Sequence, residues 1–176
     1  SYKFAAQHPG WEQMQADGVS YGKAHPLYGN GTTMCVNSPW RDFAFLLLSE
    51  VMITGVEGVF LDGPVVFPGA CYCETCLDQF KAQTGFDAPK EENWSNEWKA
   101  WVDFREDSMQ RFVRDARRAV RETNDEGIIF CNAGGWQLST QSARNPWKLE
   151  TEQDITGAEV FVHYGVPHED WLDTTV

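Results

Sequence analysis

The chain carries 176 residues, of which 42% are apolar, enough to build one domain's core. Against 14 basic residues stand 26 acidic ones, a net charge of −12, which repels phosphate backbones and anionic membrane surfaces and so excludes nucleic acid and membrane as expected partners. Eight of the residues are Trp. Aromatic faces stack on the apolar faces of sugar rings, and the competing use of so many is to fill a core.

No stretch approaches the roughly 18 apolar residues of a membrane span, and Ser1-Tyr2-Lys3-Phe4 begins without the basic and apolar regions of a signal peptide. Either the native start lies upstream or the protein is made without a targeting segment. The first forty residues are rich in Gly, His, Pro, Tyr and Asn, as in Gln7-His8-Pro9-Gly10-Trp11 and Tyr28-Gly29-Asn30-Gly31, and read as ordered loop. Regular structure is expected from Ser38-Pro39, with Ser38 as N-cap. Trp40, Phe43, Ala44, Leu47 and Val51 then form one helical stripe that ends near Gly55.

Val56 to Asp62 is a short apolar run closed by Gly63-Pro64, the pattern of a buried parallel strand with Asp62 at its C-terminal end. A long helix follows, its face traced by Trp98, Trp101, Val102, Arg105, Met109, Phe112, Val113, Ala116 and Val120, and it stops at Asn124 and Gly127. Strands are expected at 127–132 and 157–163. This alternation is that of parallel α/β units, and Asp62, Asn132, Glu159 and His163 lie at or near strand C-terminal ends, where such folds place their chemistry. A complete (β/α)₈ barrel needs roughly 250 residues, so a barrel reading makes residues 1–176 a part of one. A self-contained open α/β sheet is the alternative.

Four of the five cysteines are spaced as metal ligands. Cys71-Tyr72-Cys73-Glu74-Thr75-Cys76 puts three thiols on one tight loop able to reach a single tetrahedral ion, and Cys35 is the natural fourth donor. Four thiolates leave no position for water, so the ion would be structural zinc, pinning the loop after the Asp62 strand to the loop before the Trp40 helix. Disulfides are the competing reading, although local C-x-C pairing is strained. Zinc-binding thiols would favour a bacterial cytoplasm. Cys131, inside an apolar run, reads as core.

At these residues the chain resembles glycoside hydrolases. It is similar to bacterial β-galactosidases with a four-cysteine zinc cluster through His8-Pro9-Gly10-Trp11, Asp17-Gly18, Cys35 to Arg41, Cys71 to Cys76, Phe80 and Gly85. In that family the fourth barrel strand ends in Asn-Glu, with the acid/base Glu nine residues before the first cysteine of the trio. Asp62 holds that position here, and no Arg precedes Cys35. Phe60-Leu61-Asp62-Gly63-Pro64, the cysteines, and Trp94, Trp98, Trp101, Arg105, Asp107-Ser108 and Arg111-Phe112 more closely resemble the barrel proteins known as hypothetical glycosyl hydrolases, which are similar to α-L-fucosidases.

That resemblance, over residues 5 to 165, implies part of a (β/α)₈ barrel, about strands 4 to 6, with residues 71–96 as a zinc-loop insertion. It also implies a carbohydrate substrate and Asp62 as nucleophile of a retaining glycosidase. Glu159 is the expected second carboxylate, and Asn132, Trp136, His163 and Tyr164 are expected sugar contacts. The remaining barrel segments or a homo-oligomeric partner would cover the outer strands. Two other classes stay open: an inactive carbohydrate-binding relative, and a thiol redox protein using Cys73 and Cys76.

Overall fold

A computed structural model describes residues 2–20, 32–134 and 138–159. In chain order these form helix α1 (Tyr2–Gln7), helix α2 (Trp40–Ile53), strand β1 (Gly58–Leu61), helices α3 (Glu74–Thr84) and α4 (Asn96–Thr123), strand β2 (Ile128–Gly134), helices α5 (Ser139–Ser142) and α6 (Pro146–Glu150), and strand β3 (Gly157–Glu159). The sheet order is β1-β2-β3, and both pairings are parallel. Parallel strands need a crossover, and α3 with α4 supplies the one between β1 and β2. No helix among the described residues is long and apolar enough to cross a membrane.

Helix α4 is the spine. Ser95 caps it, its hydroxyl accepting from the Trp98 N–H, and every residue of the stripe expected from the sequence is buried. One part of that face packs on Met52 and Ile129, and another packs on Phe80, the cysteines, Cys131 and Leu149. Fully enclosed Phe80 meets Trp101 and Phe104 edge-on, at centroid separations of 4.9 and 5.5 Å.

Strand alternation sorts the sheet's two faces. Val59, Leu61, Ile129 and Cys131 pack toward the helices, whereas Phe60 and Phe130 stack at 4.7 Å on the opposite face. Asp62 and Asn132 lie two residues beyond that stacked pair, so the pleat assigns them to the same helix-free face. At Gly58 an added Cβ would collide with the Ile128 carbonyl of the neighbouring strand, which is why glycine begins β1.

Several expectations need correction. The opening segment is not all loop: α1 forms, and Glu12 bridges Met34 while Met14 bridges Ser20. Aromatic contacts outweigh the turn-rich composition there, with Phe4 against Phe43 at 4.6 Å and His8 against Trp11 at 4.1 Å. Pro39, not Ser38, is the residue before α2, and the Ser38 hydroxyl accepts from the Trp40 N–H at 3.3 Å. The stripe on α2 is rotated from the one expected. Trp40, Ala44, Phe45, Leu48 and Met52 face the core, while Phe43, Leu47 and Val51 are exposed, Leu47 and Val51 at 44% and 45%. Because α2 is apolar on more than one side, periodicity could not choose among its faces. Helix α3, inside the expected zinc loop, was not anticipated.

A buried cysteine cluster and a strand-end carboxylate

Two loops carry the thiols. Cys35 lies just before α2, its N–H donating to the Trp11 carbonyl at 2.8 Å. The Cys71 trio leads into α3, whose N-cap is Cys73, and Tyr72 N–H donates to the Met14 carbonyl at 2.8 Å. Gln13, only 1% exposed, joins these loops. Its side-chain N–H groups donate to the carbonyls of Met34 at 3.2 Å and Val65 at 2.7 Å, and its oxygen accepts from Phe67 N–H at 3.0 Å.

The expected four cysteines converge. The sulfurs of Cys35, Cys71, Cys73 and Cys76 all lie within 4.8 Å of one another, all four residues are buried, and none is in a disulfide. Sγ of Cys35 is 3.4 Å from that of Cys76 and 3.6 Å from that of Cys73, close to the roughly 3.8 Å that tetrahedral Zn–S bonds of about 2.3 Å require. Hydrogen bonds with Cys35, Cys71 and Cys76 pull the Cys73 thiol well below its ordinary range, while bonds with Cys71 and Cys73 push Cys35 well above it and bonds with Cys35, Cys71 and Cys73 do the same to Cys76. One thiolate is stabilised by three thiols; a second beside it is opposed. Four thiolates can coexist only around a cation, so this donor set fits a soft divalent ion.

The surroundings fit it too. Asn37 donates its N–H to Cys35 Sγ and its Nδ2 to Cys76 Sγ, both at 3.4 Å. Arg105 lines the small cleft beside Cys35, Cys71 and Cys76, and its buried Nε has no hydrogen-bond partner among the described residues. Burial lowers its affinity for its proton, and the nearby phenol and thiol groups of Tyr72, Cys71 and Cys76 oppose that shift. Cys131 lies apart from the cluster, enclosed and with its thiol bonded to Gln153 Oε1 at 3.2 Å; burial pushes its pKa to about 11.

At the C-terminal end of β1, Asp62 is exposed. The Asn132 amide clamps it, with Nδ2 donating to Asp62 Oδ1 at 3.0 Å and Oδ1 accepting from Gly63 N–H at 2.8 Å. Gly63 turns the chain with a positive φ of 72°. Arg144 holds the next residue, its Nε donating to the Pro64 carbonyl at 3.0 Å. The backbone of Glu159 closes β3, paired with Gly134, but its side chain lies outside the described part. Trp136, His163 and Tyr164 fall outside the described residues altogether.

Gln13, Asn37 and Arg144 were not singled out from the sequence. Asn37 had a signal in its nearness to Cys35. Gln13 and Arg144 had none, since their partners lie 52 and 80 residues away.

No protein-family model matches the chain, and no curated protein matches it by sequence. Solved structures do match. The β-galactosidase of the Antarctic haloarchaeon Halorubrum lacusprofundi superposes with a TM-score of 0.68 at 17% identity, over 90% of this chain and 28% of its own. The glycoside hydrolase domain of PgaB from Bordetella bronchiseptica gives 0.71 at 11% identity, over 95% of this chain and 52% of its own. Alpha-L-fucosidase isoenzyme 2 of Paenibacillus thiaminolyticus gives 0.57 at 23% identity, over 74% and 18%. The chain thus spans about a quarter to a half of the first two of these proteins, and its α/β fold is that of one portion of glycoside hydrolase structures.

Proposed function

We propose that this chain is part of the catalytic (β/α)₈ barrel of a glycoside hydrolase, about strands 4 to 6, with Asp62 as a catalytic carboxylate at the mouth. The observation that carries the reading is the Asp62–Asn132 pair. The pleat assigns both to the helix-free face of adjacent parallel strands, at the C-terminal ends, where barrel enzymes build their sites. The shared fold with three kinds of glycoside hydrolase supports the class.

In this reading Asn132 fixes Asp62 through Oδ1 and leaves Oδ2 to face substrate. A retaining hydrolase needs a second carboxyl about 5 to 5.5 Å away, one attacking the anomeric carbon and the other protonating the leaving oxygen. Glu159, at the end of β3, is our assignment for it, with Asn132, Trp136, His163 and Tyr164 as sugar contacts. Cys35, Cys71, Cys73 and Cys76 hold a structural zinc, and residues 71–96 form an insertion that it staples to the barrel. The zinc supplies cross-linking of two loops and no reaction step.

Outward apolar groups support the incomplete-barrel reading. Leu46, Leu47, Val51 and Ile53 of α2 are 44–74% exposed, Phe60 of the edge strand is 47% exposed, and further barrel segments would cover them.

The deciding experiment is Asp62→Asn in the protein with all of its barrel, assayed on aryl β-galactosides and α-L-fucosides. Turnover should fall by about 10³-fold or more with KM little changed and metal content intact. Turnover near that of the parent would remove Asp62 from the reaction and point to other carboxylates. Sugar binding without turnover by the parent would instead favour an inactive carbohydrate-binding relative.

A further inference from the structure

The cysteine cluster has a charge problem that the ligands do not solve. Four thiolates around a divalent cation carry a net charge of −2, and this one is enclosed: the four residues are 1–3% exposed. Excess charge in a low-dielectric interior needs a partner there. Helix α4 passes alongside, and Phe104, Arg105 and Ser108 line the cleft with Cys35, Cys71 and Cys76. Ser108 is already engaged, accepting from Asn37 Nδ2 at 2.9 Å and from Arg111 at 3.0 Å, and so holds Asn37 against the sulfurs.

Arg105 stands out among the cations. It is 8% exposed, one terminal nitrogen donates to the Gln141 carbonyl at 2.6 Å, and Nε is buried without a partner among the described residues. The neighbouring acid, Glu106, is committed elsewhere, to Asn145 at 2.8 Å and Lys148 at 3.3 Å. A buried guanidinium with no carboxylate partner among the described residues, beside a cluster of thiols, is intelligible if those thiols become the anion.

We propose that Arg105 is the counter-charge of the metal–thiolate cluster, with its guanidinium half-neutralising the tetrathiolate and Asn37, braced by Ser108, donating to two of the sulfurs. This rests on the zinc reading. Arg105 is therefore a positioning residue for the metal, acting through the ligands' charge rather than by ligation. Residues next to metal ligands hold them in place and tune them, and their loss typically weakens metal binding by about 10- to 100-fold.

The test uses the full protein and needs no sugar substrate. Zinc content is measured first, then the rate of zinc transfer to a chromogenic chelator for the parent, Arg105→Lys and Arg105→Met, with Arg105→Gln as the alternative neutral variant if the Met protein does not fold. The neutral variant should release zinc about tenfold faster or more, and the Lys variant should stay within about threefold of the parent. After exchange to cobalt(II), the sulfur-to-metal charge-transfer band should move to lower energy in the neutral variant only, because uncompensated thiolates give up electrons more readily. Unchanged release and band in the neutral variant would overturn the proposal. So would equal acceleration in the Lys and neutral variants with no band shift, which would mark Arg105 as a packing residue. A parent that binds no zinc at all would remove the zinc reading itself, a result distinct from either.

Discussion

Three loops meet on one side chain, that of Gln13. Removing it deprives the half-buried carbonyls of Met34 and Val65 and the buried N–H of Phe67 of this partner. A buried polar group left unpaired costs about 1–3 kcal/mol, so Gln13→Ala should lower stability by about 3 kcal/mol or more. At about 2–4 °C per kcal/mol for a chain of this size, thermal unfolding should come roughly 6–12 °C earlier, with secondary structure below the transition unchanged. Cys131 makes a contrasting prediction. Burial raises its pKa to about 11, so at pH 8 it stays a thiol, and the same holds at every lower pH. With the other four cysteines on zinc, a thiol reagent should find essentially none of the five reactive in the native protein and all five after denaturation with a chelator. The cluster was legible in the sequence because three of its members are neighbours and metal geometry restricts what such spacing can do. Gln13 was illegible because a glutamine's worth depends wholly on partners the chain brings from far away.

Among the elements, α4 was read almost to its ends. Twenty-eight residues of strong amphipathic pattern closed by an asparagine leave few alternatives, although the Ser95 that starts the helix was not singled out. Its cap is worth about 1 kcal/mol, and Ser95→Ala should cost that much by denaturant titration. The end of the helix is tied down differently. Arg117 and Arg121 both reach Asp154 Oδ1, at 2.6 and 2.7 Å, while Oδ2 accepts from the Ile129 N–H of β2 at 2.9 Å. That one carboxylate locks helix to strand, so Asp154→Ala should destabilise by about 2–4 kcal/mol and speed hydrogen exchange at Ile129 ahead of the rest of the sheet. A small effect on both would show the pairs to be solvent-screened. Helix α2 was misread because its apolar residues lie on several sides, and periodicity reports only that a face is buried, not which one. The short helices α5 and α6 were missed because four or five residues carry too little pattern.

At the scale of the whole molecule, the described parts have one finished side and one unfinished side. Toward α4 the packing is closed; away from it, Phe60, Ile128 and the outer residues of α2 are left in water. Apolar area of this kind marks an interface. Residues 1–176 expressed alone should bind a hydrophobic dye strongly and self-associate, and substituting Leu47 and Val51 together with Lys should reduce both without lowering metal content. A monomeric, dye-silent fragment would speak for the self-contained open sheet. The parallel α/β class was legible from the alternation of elements. The register of β1 against β2 was not, because it is set by packing on α4 and by the close approach at Gly58.

The pairing of Gly58 with Ile128 also governs what happens on the ribosome. Gly58 and its partner Ile128 are 70 positions apart (128 − 58), and at about 5–20 residues per second β1 emerges roughly 4–14 s before β2, its partner among the described strands. The last thiol of the cluster, Cys76, emerges 52 positions ahead of Ile128 (128 − 76). On the zinc reading, metal capture can therefore close the loops on either side of α2 and β1 while β2 is still to come, making the ion a placeholder for the part of the sheet not yet translated. Cell-free synthesis in zinc-depleted extract should then yield the same amount of chain but more of it in aggregates, and zinc added only after release should recover little of that loss. Full recovery by late addition would show that the metal arrives after the fold.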